Sequence, residues 1–169
     1  MICIKHGFLI SFLSIAFYSC WSQTIDNNQN NTVKFEKLIF HSSRCNGACP
    51  QVDFEIDSNR IIVLNREFFK TKSETNKSKS GQFKGVLNQQ KFSEFLQVLK
   101  SSDYKNLKFP DIVCCDGVVT TIIIYADKKR KYLKSMTPPQ SALKLISYLF
   151  KLGTEIKLAR INIEINIEE

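Results

Sequence analysis

The stretch Val52-Asp53-Phe54-Glu55-Ile56-Asp57-Ser58-Asn59-Arg60-Ile61-Ile62-Val63-Leu64-Asn65-Arg66 decides the fold class. Val52, Phe54 and Ile56 face one way and Asp53, Glu55 and Asp57 the other, the period-two pattern of a half-buried strand. Asp57-Ser58-Asn59-Arg60 then supplies turn residues, and residues 61–66 return as a β-branched run. This hairpin is the clearest in the chain and points to an antiparallel sheet.

The pattern continues on both sides. Upstream, residues 33–40 read as a strand in which Val33, Phe35 and Ile39 share a parity broken by Lys37. Downstream, residues 70–80 hold four lysines, three serines and one acid and read as a mobile polar loop, after which residues 81–86 resume a strand. Asn88 is placed to cap a helix with Phe92, Phe95, Leu96 and Leu99 on one face, ending at Ser101 and Ser102. Residues 117–125, rich in Val, Thr and Ile, suggest a central strand; a turn at Asp127-Lys128-Lys129 leads to its partner over 130–135. Thr137 is expected to cap a second helix with Pro138 and Pro139 in its first turn. Ala142, Leu145, Ile146, Leu149 and Leu152 form its buried stripe, and Gly153 is expected to stop it. Ile161, Ile163, Ile165 and Ile167 alternate with polar residues and read as a last strand or an exposed edge. The sum is an α+β fold, a mainly antiparallel sheet of about six to seven strands in hairpins packed against two α-helices.

The N-terminus reads as an address. Residues 1–23 carry Lys5 and His6, then an apolar run of about eleven residues, shorter than the ~20 residues that span a bilayer. Two maturation routes fit. Cys20 follows Phe17-Tyr18-Ser19, a loose lipobox, and would carry lipid; otherwise a cut near Ser22-Gln23 releases a periplasmic or secreted chain. Residues 24–32, rich in asparagine, read as a polar tether, and residues 33–169 as a single domain.

At 169 residues, 43% hydrophobic and with 13 phenylalanines, the chain is too apolar for a disordered protein and too short for a multi-domain enzyme. Of six cysteines, Cys3 leaves with the signal and Cys20 concerns anchoring, which leaves Cys45, Cys49, Cys114 and Cys115 in the domain. An even set in an exported chain points to disulfides. Two bridges between the segments, one bridge with two thiols, or a Cys45–Cys49 bridge around the Asn46-Gly47-Ala48 turn all fit; a vicinal Cys114–Cys115 bridge fits least.

Arg44-Cys45-Asn46-Gly47-Ala48-Cys49-Pro50, followed by an alternating strand, resembles a bacterial family of small exported domains, the domain of unknown function numbered 6438. Cys45, Gly47, Cys49 and Pro50 match its Cys-x-Gly-x-Cys-Pro motif, and the likeness runs over about residues 35–152. The resemblance implies export and a fold of hairpins and two helices; it implies no catalytic residue.

The chemistry weighs the same way. Cys45 and Cys49 could form a redox pair, but such pairs sit at helix N-termini with Cys-x-x-Cys spacing, and here a strand follows. Cys45, Cys49, Cys114 and Cys115, with His41 nearby, are the alternative metal ligands. A cysteine–histidine hydrolase would have to use His41, which reads as an ordinary surface or edge residue, and Asp111 and Asp116 read as turn residues rather than a carboxylate pair. The net charge of +8 gathers in two clusters. Lys70, Lys72, Lys77, Lys79 and Lys84 lie around the long loop; Lys128, Lys129, Arg130, Lys131 and Lys134 lie on a hairpin. Lys128, Lys129, Arg130 and Lys131 are candidates for anionic lipid or polysaccharide, with a solvated face as the plainer reading. Nucleic acid is not expected, because no aromatics interleave with the lysines. The reading is a non-enzymatic envelope domain with a binding or structural role, attached through lipid on Cys20, with an unspecified envelope component as partner and no cofactor. The alternative is a thiol redox or metal-binding protein centred on the four cysteines.

Overall fold

The computed structural model describes residues 34–112, 114 and 116–169. The signal over 1–23, the lipidation candidate Cys20, the tether over 24–32 and Cys115 lie outside the described residues. Within them the decisive hairpin forms as β2 (Gln51–Asp57) and β3 (Ile61–Glu67), with Phe54 opposite Leu64. The Asp57 carboxylate accepts from the Ile61 amide at 2.8 Å and closes the turn.

Around this hairpin stand β1 (Phe35–Ser42), β4 (Gly81–Val86), β5 (Thr120–Ala126), β6 (Lys129–Ser135) and β7 (Ala159–Ile161). The seven strands make one antiparallel sheet in the order β6-β5-β1-β2-β3-β4-β7. Helices α1 (Gln89–Ser101) and α2 (Leu143–Glu155) complete an α+β fold. Strand β5 is an interior strand, and the midpoint of the sheet is β2. Asp127 and Lys128, with φ of 54° and 60°, make the tight turn into β6, the double left-handed geometry that matches strand twist.

The helices cover one face. Leu38, Phe40, Val52, Phe54, Ile56, Ile62, Leu64, Ile122 and Ile124 pack with Phe95 and Leu99 of α1 and Leu145 and Leu149 of α2 in one cluster. Parity along β1 departs from the expected grouping. A register shift between Phe35 and Lys37 turns Phe35 to the helix side, where its ring meets Phe92 and Phe95 edge-on at 5.9 and 5.3 Å. Ile39 is fully buried yet stands apart from that cluster, so it belongs with Lys37 and His41 on the opposite face.

One local expectation holds and two change. Asn88 does cap α1, its side chain accepting from the Lys91 amide at 2.8 Å. Thr137 caps nothing: Pro138 and Pro139 hold the chain extended, a 3₁₀ turn follows at Gln140–Ala142, and α2 begins at Leu143. Gly153 does not stop α2 but lies inside it. A Cβ there would sit 2.3 Å from Val52 Cγ1, so the glycine lets the helix lie close on β2. The helix end is held by Arg66 of β3, whose guanidinium donates to the Gly153, Thr154 and Ile156 carbonyls at 3.0, 3.0 and 3.2 Å. Among the described residues, no helix is long and apolar enough to cross a membrane.

Candidate functional site

Two places bring chemistry-bearing residues together: the cysteine loop at one end of the sheet and the sheet face away from the helices.

The loop between β1 and β2 carries the cysteine motif. Cys45 and Cys49 are joined in a disulfide with Cα atoms 5.6 Å apart, one of the pairings the spacing allowed. The Gly47 amide donates to the Cys45 carbonyl at 2.8 Å, and a Cβ on Gly47 would lie 3.3 Å from Cys45 Sγ, so the small residue suits the tight turn. Pro50 is half-buried and leads directly into β2. Asn46 reaches across to the segment before β5: its side chain donates to the Asp116 carboxylate at 2.7 Å and its amide to the Asp116 carbonyl at 3.2 Å. The Ser43 amide donates to the Val119 carbonyl at 3.0 Å, and Ser43 Oγ accepts in return from the Val119 amide at 2.8 Å. The loop is thereby fastened to the segment that carries the exposed Cys114. A strand, not a helix, follows Pro50 in the chain, and in this oxidised form neither sulfur is a thiolate ligand. Asp116 is engaged with Asn46, and Asp111 stands exposed.

The open face is more highly charged. Alternation brings Lys37, Ile39 and His41 of β1 beside Glu55 and Asp53 of β2 and beside Tyr125, Ile123 and Thr121 of β5. Onto this face comes the segment after β7. His41 is half-buried and bridges two acceptors, Asp53 Oδ1 from Nδ1 at 3.0 Å and the Glu168 carbonyl from Nε2 at 2.7 Å. A carboxylate and a carbonyl only accept, so both bonds together require both ring N–H groups, which is the imidazolium. Burial works against that charge; the Asp53 hydrogen bond and the Glu168 carbonyl outweigh it, and the His41 pKa lies above its ordinary 6.5. Gln51 steadies Asp53 by donating to Oδ2 at 3.0 Å.

The Glu168 carboxylate sits in a pocket of donors. The Tyr125 hydroxyl donates to Oε1 at 2.6 Å, Arg130 reaches the same oxygen through Nε and Nη2, both at 3.1 Å, and Lys37 Nζ lies 3.4 Å from Oε2. The tyrosine hydrogen bond first, then burial acting in opposition, then Arg130 and Lys37, leave Glu168 below the usual carboxylate range. Lys37 also pairs with Glu55 at 3.3 Å and lies over the Tyr125 ring at 5.0 Å. Beside this pocket is a cavity of about 300 Å³ bordered by His41, Thr121, Tyr132, Lys134 and Glu169.

His41 is therefore not the surface or edge residue its sequence neighbourhood suggested; it lies on an interior strand under the segment after β7. That segment is not a strand beyond Ile161 either. The basic clusters separate. The loop over 70–80 joins β3 and β4 near one edge of the sheet, whereas Lys128, Lys129, Arg130 and Lys131 lie at the other edge on the β5–β6 hairpin, so they form no single field. Within the second cluster Arg130 turns to Glu168, and the Lys128 amide donates to Glu36 at 2.8 Å. Sequence reading did not single out Lys37, Asp53, Tyr125 and Glu168. A signal was present: Lys37, Ile39 and His41 keep strict alternation opposite Leu38 and Phe40.

The family model described as a domain of unknown function (DUF6438) matches residues 36–153, most of the chain, and the chain belongs to that family. The match ends inside α2 and leaves out β7 and the segment over the open face. No curated protein matches the chain.

Proposed function

We propose that this member of the DUF6438 family is an exported, non-catalytic binding domain of the bacterial envelope, tethered through lipid on Cys20 and residues 24–32. The observation that carries the reading is the Cys45–Cys49 disulfide, a bond that persists in an oxidising compartment. It agrees with the leader pattern over residues 1–23. The disulfide braces the loop ahead of β2 and ties up two of the four sulfurs that a thiol enzyme or a metal site would use. The polar, aromatic and charged groups of the open face suit recognition better than turnover, because each charged partner already has a counter-charge beside it.

Intact-mass analysis of protein isolated from its native envelope tests the reading. The expected species begins at Cys20, carries acyl chains there and is two hydrogens lighter for the Cys45–Cys49 bond. A start at Gln23 or Thr24 would keep export and remove the anchor. A full-length, fully reduced chain in the cytoplasmic fraction would overturn it.

A further inference from the structure

Strand β7 pairs with β4 at one edge of the sheet, while Glu168 lies against β1, β5 and β6. From β7 to β1 is four strand spacings, about 19 Å at the usual separation. The seven steps from Ile161 to Glu168 reach about 23 Å fully extended. The chain must therefore cross the open face nearly straight, at right angles to the strands. Among the described residues, no backbone–backbone hydrogen bond involves residues 162–169. Ile165 and Ile167 are half-buried, and Ile163 stands 67% exposed. The strap is thus held by side chains, chiefly Glu168, on a face whose Ile39 and Ile123 are fully buried. It carries Glu164, Glu168 and Glu169 and no basic residue, opposite Lys37, His41, Arg130 and Lys134.

We propose that the open sheet face is a binding groove for an extended acidic peptide, with a glutamate entering the Lys37–Tyr125–Arg130 pocket, and that residues 162–169 occupy this groove in cis. This deepens the binding reading above and rests on it, while requiring nothing of export. The family model matches residues 36–153, which include Lys37, Tyr125 and Arg130 of the pocket, while the strap lies beyond them. An occupant without a backbone ladder exchanges readily. A peptide in trans competes with a tethered segment at high effective concentration, so the protein with its strap intact binds weakly.

The test is fluorescence anisotropy with a labelled nonapeptide, Ile-Asn-Ile-Glu-Ile-Asn-Ile-Glu-Glu, and the full chain at pH 6. Glu168→Ala loosens the strap and leaves the pocket, so the peptide is expected to bind about ten-fold tighter than to the unaltered protein. Adding Arg130→Ala, or replacing the last two glutamates of the peptide by glutamine, is expected to reverse that gain. If Glu168→Ala fails to fold, Ile165→Asn weakens the strap without touching the pocket and gives the same readout. Absence of saturable binding to a folded, loosened variant would overturn the proposal, as would binding indifferent to Arg130→Ala. A concentration-dependent dimer abolished by Glu168→Ala would overturn occupancy in cis, placing the strap of a second copy in the groove. A cytoplasmic location would remove the export reading alone, and failed peptide binding would remove this one alone.

Discussion

Replacing Gly153 by alanine tests the packing of α2 on the sheet, because elementary helix propensity and the structure demand opposite signs. In an exposed helix interior, glycine to alanine stabilises by about 0.5–1 kcal/mol. Here the new Cβ would lie 2.3 Å from Val52 Cγ1 and 3.2 and 3.3 Å from Phe54 ring carbons, against about 3.5 Å for an ordinary carbon contact. Val52 and Phe54 are both fully buried, so neither can swing away, and the helix must lift by about 1 Å. Overpacking of this kind costs about 1–3 kcal/mol. Lifting the helix also stretches the contacts from Arg66 Nη1 to the Gly153, Thr154 and Ile156 carbonyls, which share that nitrogen's two N–H groups; a charge-assisted hydrogen bond is worth about 1.5–3 kcal/mol. The propensity gain offsets a fraction of this, leaving a net loss of about 2 kcal/mol. Urea titration followed by circular dichroism should show the midpoint falling with the m-value unchanged. Val52→Ala removes the clashing methyl, so the double variant should lose about 1 kcal/mol less than the sum of the two single changes. A Gly153→Ala protein as stable as the original, or more so, would refute the close approach of α2 to β2.

Three further outcomes follow from the geometry. Because the His41 pKa is raised by its partners, the stabilisation they confer is complete below about pH 6.5 and is lost as pH rises through the raised value. An NMR titration of the His41 ring should show a midpoint above 6.5 that drops in Asp53→Asn, where burial remains and the counter-charge does not; a wild-type midpoint at or below 6.5 would contradict the imidazolium bridge. Replacing Cys45 and Cys49 together by serine should lower stability by about 2 kcal/mol for so short a loop, with the sheet intact by circular dichroism, and an unchanged urea midpoint would count against the brace. Asn88→Ala should cost about 1 kcal/mol through loss of the Lys91 cap, while Asn88→Ser should retain most of it.

Local patterns carried most of the fold. Alternation placed β2 and β3 within a residue or two, and the cap at Asn88 located α1, because burial on one face and an orphan amide each leave a mark in nearby residues. The errors arose where distant partners decide the outcome. The register shift in β1 answers to Phe92 and Phe95, more than fifty residues away. Gly153 looks like a helix stop until Val52 and Phe54 are brought beneath it. The alternation of Ile161, Ile163, Ile165 and Ile167 fits a strand, yet only the first joins the ladder, because the remaining residues turn across the sheet. The disulfide was legible as one option among several. The His41 cluster was not, since its members come from β1, β2, β5, β6 and the far end of the chain.

The hairpin partner β6 forms one outer rim of the sheet, and its outward backbone groups lie open to pairing with another chain. Lys129, Arg130, Lys131 and Lys134 occupy four of its seven positions. Two such rims approaching edge to edge would set cation against cation along their whole length. The same residues that suggested a lure for anions thus guard the sheet against growing into a neighbour, because this edge repels its own kind.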